Sequence, residues 1–349
     1  MNLKSWSSCI RDREFGKRNI EWGLKTNGKP LAGDILLAEI EDEYGYQFIE
    51  NCHGRDVRVF SGDILAFVLG NRFSGTNNYG QVPEGPLESG MRLSILSQSG
   101  IAGQCLGVDG LQTGSRPKTI RILGFPSDGD GGVLNIAGVN SHPERFTGRF
   151  PQRRIVFIFG TSAESGKTTL ACNLILALNR ILGKGKIACF KIAGTGRLKD
   201  SLVHMDAGAR VIKDFVDFGF PSTYGVSAEK YQRFLNDLLG LREIQDSEFV
   251  LMEVGGDLLE ANAPEALAFS ARMGFQNILV ANDAMGASMG VQMITSAGIP
   301  LSHLHVGCLK NNSYSMERRL GQKVFAIGKS DDMSELGGKL LSSGTNQTD

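Results

Sequence analysis

The chain has 349 residues, which at about 100 to 200 residues per domain predicts two domains. Lys plus Arg and Asp plus Glu number 37 each, so no net field draws the protein to nucleic acid or to an anionic membrane. Six cysteines, Cys9, Cys52, Cys105, Cys172, Cys189 and Cys308, form no Cys-x-x-Cys pair, which argues against zinc or a disulfide framework and for reduced, buried thiols.

The N-terminal segment through Lys4-Ser5-Trp6 has no signal-peptide core, and no run of about 18 apolar residues occurs anywhere, so a cytoplasmic location is expected. Residues 1–145 then read as a β-rich domain. Gly33-Asp34 and Gly62-Asp63 each open an apolar run, Ile35 to Ile40 and Ile64 to Leu69. Tyr46 to Glu50 and Asp56 to Phe60 read as a short strand pair, and Arg92 to Leu96, Thr119 to Phe125 and Val133 to Ile136 continue the pattern. Short strands divided by glycine turns predict a small barrel or compact sandwich. Asn71 to Asn78 reads as a solvated connection, with a binding loop facing the second domain as the alternative, Ser127 to Gly132 as an exposed turn, and the polar stretch Ser141 to Gln152, with Pro143 and Pro151, as the linker.

From residue 152 to 335 strands alternate with helices, which predicts an α/β domain with a mostly parallel sheet covered on both faces. Its first strand, Ile155 to Phe159, runs into Gly160-Thr161-Ser162-Ala163-Glu164-Ser165-Gly166-Lys167-Thr168-Thr169. Gly160 and Gly166 allow the backbone to approach an anion closely, and successive N–H groups line a concave site. Leu170, Leu174, Leu178 and Ile181 recur at helical spacing, so the loop opens a helix whose positive end faces the phosphates and which Gly183 terminates. In such a loop the lysine, Lys167, reaches the outer phosphates and the hydroxyl of Thr168 ligates magnesium. The usual spacing places four residues between the first glycine and Gly-Lys; here the glycine lies one place earlier, and Thr161 stands at the expected position.

This loop resembles that of the dethiobiotin synthetases, Gly-Thr-Asp-Thr-Glu-Val-Gly-Lys-Thr. Gly160, Thr161, Glu164, Gly166, Lys167 and Thr168 match, while Ser162, Ala163 and Ser165 differ. It is also similar to the loop of a P-loop family that includes D-glutamate N-acetyltransferases, which begins Gly-Thr-Asp. The resemblance covers about the last two hundred residues. It implies that residues 160, 161 and 164–169 hold ATP, with magnesium as the second cofactor.

Later segments add candidate chemistry. The second strand ends Phe190-Lys191-Ile192-Ala193-Gly194-Thr195-Gly196-Arg197, and a lysine closing an apolar strand is costly to bury unless it meets an anion. The synthetases carry Lys-Pro here with a Thr-Gly or Ser-Gly shortly after. The resemblance therefore implies that Lys191 meets both substrate and phosphate and that Thr195 and Gly196 meet substrate, with Arg197, an addition, beside them. Asp200 and Asp206 follow at the opening of the next helix, and the resemblance implies that one of them completes the magnesium shell. The run from Asp206 to Gly219, with Asp214-Phe215-Val216, is like an aspartate-initiated helix of the acetyltransferase family, which keeps acyl transfer as an alternative.

Phe249 to Met252 forms a strand ending at Glu253, followed by Gly255-Gly256-Asp257. A carboxylate at a strand's carboxyl end beside a phosphate loop is where a metal ligand is needed, and the synthetases carry a similar Glu-Gly run there. Val306 to Asn311 reads as the last strand, and the resemblance implies that Asn311 contacts the nucleotide base, with Asn282-Asp283 as rival. The five histidines show no metal spacing, and no serine lies in a nucleophile elbow, which argues against zinc chemistry and hydrolytic triads. Residues 336–349 read as a flexible tail.

Together these readings predict an ATP- and Mg2+-dependent ligase- or kinase-type transferase acting on a carboxylate or carbamate of a small amine or amino acid, with Lys167, Lys191 and Glu253 catalytic. Acyl-CoA-dependent N-acyl transfer and a nucleotide-switch ATPase are the alternatives. The expected partner is a small-molecule substrate, with neither nucleic acid nor membrane, and P-loop relatives raise the expectation of a homodimer.

Overall fold

The computed structural model describes residues 3–18, 20–26, 28–73, 78–108, 116–127, 132–140, 154–309 and 313–343. The chain forms two compact units. One comprises Met1–Pro143 together with Thr195–Lys199 and Asp214–Gly225; the other comprises Glu144–Gly194, Asp200–Lys213 and Val226–Asp349. The division is therefore not a single cut at the linker.

In the first unit five strands close on themselves. Ile35–Ile40 pairs antiparallel with Ile64–Leu69 and with Thr119–Ser127, and Thr119–Ser127 pairs with Arg92–Ser97. Arg92–Ser97 pairs with Ile101–Gly107, which returns in parallel to Ile64–Leu69 through Val68 opposite Ile101. Closure leaves these strands without open edges. Leu36, Ala38, Ile40, Leu65, Phe67, Leu69, Leu93, Ile95, Ile120 and Ile122 alternate along the strands and fill the interior. Leu37, Ala66 and Val68 on the other face are buried as well, which is why these runs read as continuously apolar.

Phe48–Glu50 and Asp56–Arg58 pair as expected. Val133 to Ile136, expected as a strand, makes two isolated bridges, Val133 to Ser127 and Asn135 to Asp34, and then begins the short helix Ile136–Val139, because Asn135 accepts from Ala137 N–H and caps it. Asp214-Phe215-Val216 is not part of a helix begun at Asp206. Asp214 caps a 3-10 turn over Phe215–Phe218, and Gly219 closes it at φ +88°, where a Cβ would stand 2.7 Å from Ala137. Arg11 Nη2 meets Asp214 at 2.5 Å in the same unit.

The second unit holds a seven-stranded sheet in the order Val211–Asp214, Ile187–Ala193, Phe249–Val254, Arg154–Gly160, Gln276–Val280, Leu304–Cys308, Val324–Ala326. From Ile187–Ala193 through Val324–Ala326 each neighbouring pair is parallel. Val156 and Ile158 point to the face covered by Leu170, Leu174 and Leu178 of the helix Lys167–Leu182. Phe157 points the other way and stacks with Phe275 and Phe159.

Three expectations change here. The run from Asp206 to Gly219, likened to a helix, holds the strand Val211–Asp214 instead, and the helices on either side are Leu198–Asp206 and Ala228–Leu239. Leu304–Cys308 is followed by the true edge strand Val324–Ala326. Of the segment expected as tail, residues 336–343 continue the helix Ser330–Ser343, because Met333, Leu336 and Leu340 share one buried stripe, and residues 344–349 lie outside the described residues. No helix among the described residues is long and apolar enough to cross a membrane.

Candidate functional site

Three adjacent parallel strands position the site. The register sets Glu253 beside Ile158 of the loop strand on one side and beside Lys191 on the other. Residues opposite one another in a ladder share a face, so Glu253 and Lys191 point to the side where the loop turns into its helix. Gly255 keeps the two strand ends close: its N–H donates to Ala193 O at 3.1 Å, and a Cβ there would stand 2.4 Å from that oxygen.

The loop itself leaves no room for a side chain at its first glycine. A Cβ on Gly160 would lie 2.4 Å from Ser165 Oγ and 2.8 Å from Lys167 Nζ. Gly166 holds φ +103° directly before Lys167, a conformation that favours glycine. Thr161 N–H donates to Val280 O at 3.0 Å, and Asn282 Nδ2 donates to Glu164 O at 3.3 Å, which ties the loop to the neighbouring strand end. Asp283 caps the next helix, accepting from Gly286 N–H at 2.8 Å.

Lys167 is 3% exposed, and its ammonium donates to Ser162 O at 2.8 Å and Gly256 O at 2.6 Å. Burial, opposed by Glu253 and reinforced by the Lys191 charge, lowers it to about 8. A buried cation in that state gains from an incoming anion. Thr168 Oγ1 donates to Glu253 Oε1 at 2.8 Å. On the other side of the carboxylate His204 Nε2 lies 3.0 Å from Oε2, off the line of a good hydrogen bond but in ion-pair contact, with both side chains buried. Desolvation opposes both charges. For Glu253 it is outweighed by His204, Lys191 and Thr168, which hold the carboxyl down at about 2; for His204 it is outweighed by Cys189 and Glu253, which carry the imidazole up to about 11.

Lys191 is 7% exposed and pairs with Asp200 at 2.5 Å. Asp200 lies in the first turn of the helix Leu198–Asp206, whereas Asp206 ends that helix, exposed. The structure thus gathers Gly160, Ser165, Gly166, Lys167, Thr168, Lys191, Asp200 and Glu253. Glu164 and Thr169 are exposed, and only the carbonyl of Glu164 is engaged. Thr195, Gly196 and Arg197 belong to the first unit, where Gly196 packs against Val216 and Pro221 and Arg197 Nε lies 3.8 Å from Glu50. Asn311 lies outside the described residues.

Among the described residues no group of three or more His, Cys, Asp or Glu could hold a metal ion alone. Thr168 and Glu253 nevertheless fit magnesium as it usually binds, by one or two protein oxygens with phosphate and water completing the shell. Ser165 Oγ, buried against Gly160 without a hydrogen-bond partner, marks a loop built around a polar guest. Sequence reasoning missed His204, whose partner is distant in the chain; the only hint is that Ser201 and His204 place two polar groups one turn apart on the buried side of a helix.

No family model matches the chain, and no curated protein matches it. Among solved structures, a chain of the MinC:MinD cell division protein complex of Aquifex aeolicus is similar at a TM-score of 0.36 and 14% identity, over 52% of this chain and 85% of that one. A nucleotide-binding protein of Archaeoglobus fulgidus in complex with ADP is similar at a TM-score of 0.36 and 12% identity, over 55% of this chain and 93% of that one.

Proposed function

We propose that residues 160–169 bind the phosphates of ATP with magnesium, and that the protein transfers the terminal phosphoryl group to a carboxylate or carbamate of a small amine-bearing metabolite. The observation that carries this reading is the junction of Lys167, Thr168 and Glu253. A buried ammonium lies over a glycine with no room for a Cβ, next to a hydroxyl–carboxylate pair 2.8 Å apart. Magnesium, when bound, neutralises charge on the phosphate oxygens.

The chain's own groups do the rest. Lys167 offers its ammonium to the phosphates, exchanging two carbonyl contacts for charged ones. Thr168 and Glu253 hold the metal. Lys191, released from Asp200, aligns the acceptor. An acceptor oxygen forms a bond to the γ-phosphorus as the bond to the β,γ-bridging oxygen breaks, and ADP leaves with that electron pair. Positioning and charge stabilisation supply most of the catalysis in such transfers. N-acyl transfer from a CoA thioester needs no hydroxyl–carboxylate pair beside the loop, so Thr168 and Glu253 favour the metal nucleotide.

A screen of amine and amino-acid metabolites with ATP and Mg2+, read by ADP release and product mass, tests the reading. Metabolite-dependent ADP release is expected, falling by about two orders of magnitude or more in Lys167→Ala. A mass gain that needs acetyl-CoA and no ATP would overturn it, and nucleotide-dependent complex formation without a small-molecule product would favour a switch.

A further inference from the structure

Glu253 has two oxygens, and only one of them meets the phosphate loop. Oε1 accepts from Thr168, while Oε2 faces His204 at 3.0 Å. The ring is wholly buried in the helix Leu198–Asp206, with Ser201, one turn earlier, buried too. His204 therefore reaches neither solvent nor a ligand in the loop; its polar neighbours include Cys189 and Glu253, and Glu253 is the one that accepts from Thr168 of the loop. A carboxylate free at both oxygens can rotate and offer a metal one oxygen or both. Magnesium demands near-octahedral geometry with ligands at about 2.0–2.1 Å, and a partner that occupies one oxygen removes that freedom.

We propose that His204 is a positioning residue: by engaging Oε2 it fixes Glu253 so that Oε1 alone is presented to a metal beside Thr168. This rests on the nucleotide reading above and adds to it the device that shapes the metal's protein ligand. Its signature is a loss confined to metal-dependent binding, because His204 touches no part of the phosphate cradle.

Calorimetric titration of ADP, with and without Mg2+, tests this on the full chain. In His204→Leu the gain in ADP affinity that Mg2+ brings is expected to fall by about 10- to 100-fold, with metal-free affinity unchanged. His204→Gln, whose amide N–H can reach Oε2, is expected to recover most of the gain. Because leucine strands a buried carboxylate, circular dichroism follows folding. The pair His204→Leu/Glu253→Gln, which removes both charges, supplies a second background in which losing His204 should cost nothing beyond Glu253→Gln alone. A metal effect unchanged in His204→Leu, a Gln variant as impaired as the Leu variant, or a double variant worse than Glu253→Gln would each overturn the positioning role. A wild type that binds no ADP under either condition would instead strike the nucleotide reading itself, and the positioning role with it.

Discussion

Gly160 is the residue on which the loop's geometry turns. Its missing Cβ lets Ser165 and Lys167 close to within 2.4 and 2.8 Å of where that atom would be. Gly160→Ala must push the lysine out of its place, and since this affects a side chain more than the surrounding sheet, the fold should survive. Nucleotide affinity is expected to fall by about 1.4 to 3 kcal/mol, roughly 10- to 100-fold, as read by calorimetry, with an unchanged circular dichroism spectrum. Affinity equal to wild type would show that the tight turn serves packing alone. The loop was legible in the sequence because close backbone approach, a cation and a hydroxyl demand particular residue types side by side. His204 and Glu253 were not legible as a pair, because one lies on the helix Leu198–Asp206 and the other at the end of the strand Phe249–Val254, and their chain separation carries no periodic signal.

Elements divide along the same line. Buried parallel strands such as Ile155 to Phe159 announced themselves as unbroken apolar runs. Ile101–Gly107 did not, since its glycines, alanine and glutamine lack β-branched bulk, and only pairing on both sides makes it a strand. Gly337-Gly338 hid the last helix, although Leu336 and Leu340 bury one stripe of it. Leu174, fully buried between that helix's partner and the sheet, should cost about 2 to 5 kcal/mol on truncation to alanine, measured by denaturant unfolding.

The strand Leu304–Cys308 carries a pH dependence of its own. Burial, with Lys339 and His303 nearby, lowers His305 to about 4. The unfolded chain takes up this proton near pH 6.5 and the folded chain only near pH 4. The neutral ring's contribution is therefore intact above about pH 6.5 and is lost as pH falls toward 4, by at most about 3 kcal/mol. His305→Gln should flatten that part of the unfolding free energy between pH 7 and pH 4.5. A slope identical to wild type would assign it to other groups.

At the scale of the whole molecule, balanced charge and the change from short strands to alternating strands and helices made two parts legible, one barrel-like and one α/β. The exchange of Thr195–Lys199 and Asp214–Gly225 into the first unit was not legible, because it depends on contacts such as Arg11 with Asp214. Arg11 is 11% exposed and Asp214 1% exposed. A fragment ending at residue 140 lacks Asp214 and leaves a buried guanidinium without that partner. It is expected to lose about 3 to 5 kcal/mol relative to the same unit in the full chain, or to fail to fold, as followed by denaturant unfolding; equal stability would mean that the segment is dispensable.

All of the proposed chemistry depends on a phosphate chain lying across Gly160 to Thr169. The most direct measurement is a calorimetric titration of ATP with Mg2+ into the wild type and Lys167→Ala. Saturable binding that weakens without Mg2+ and is lost in Lys167→Ala is the expected result. No heat of binding in the wild type, or binding that Lys167→Ala leaves untouched, would contradict it.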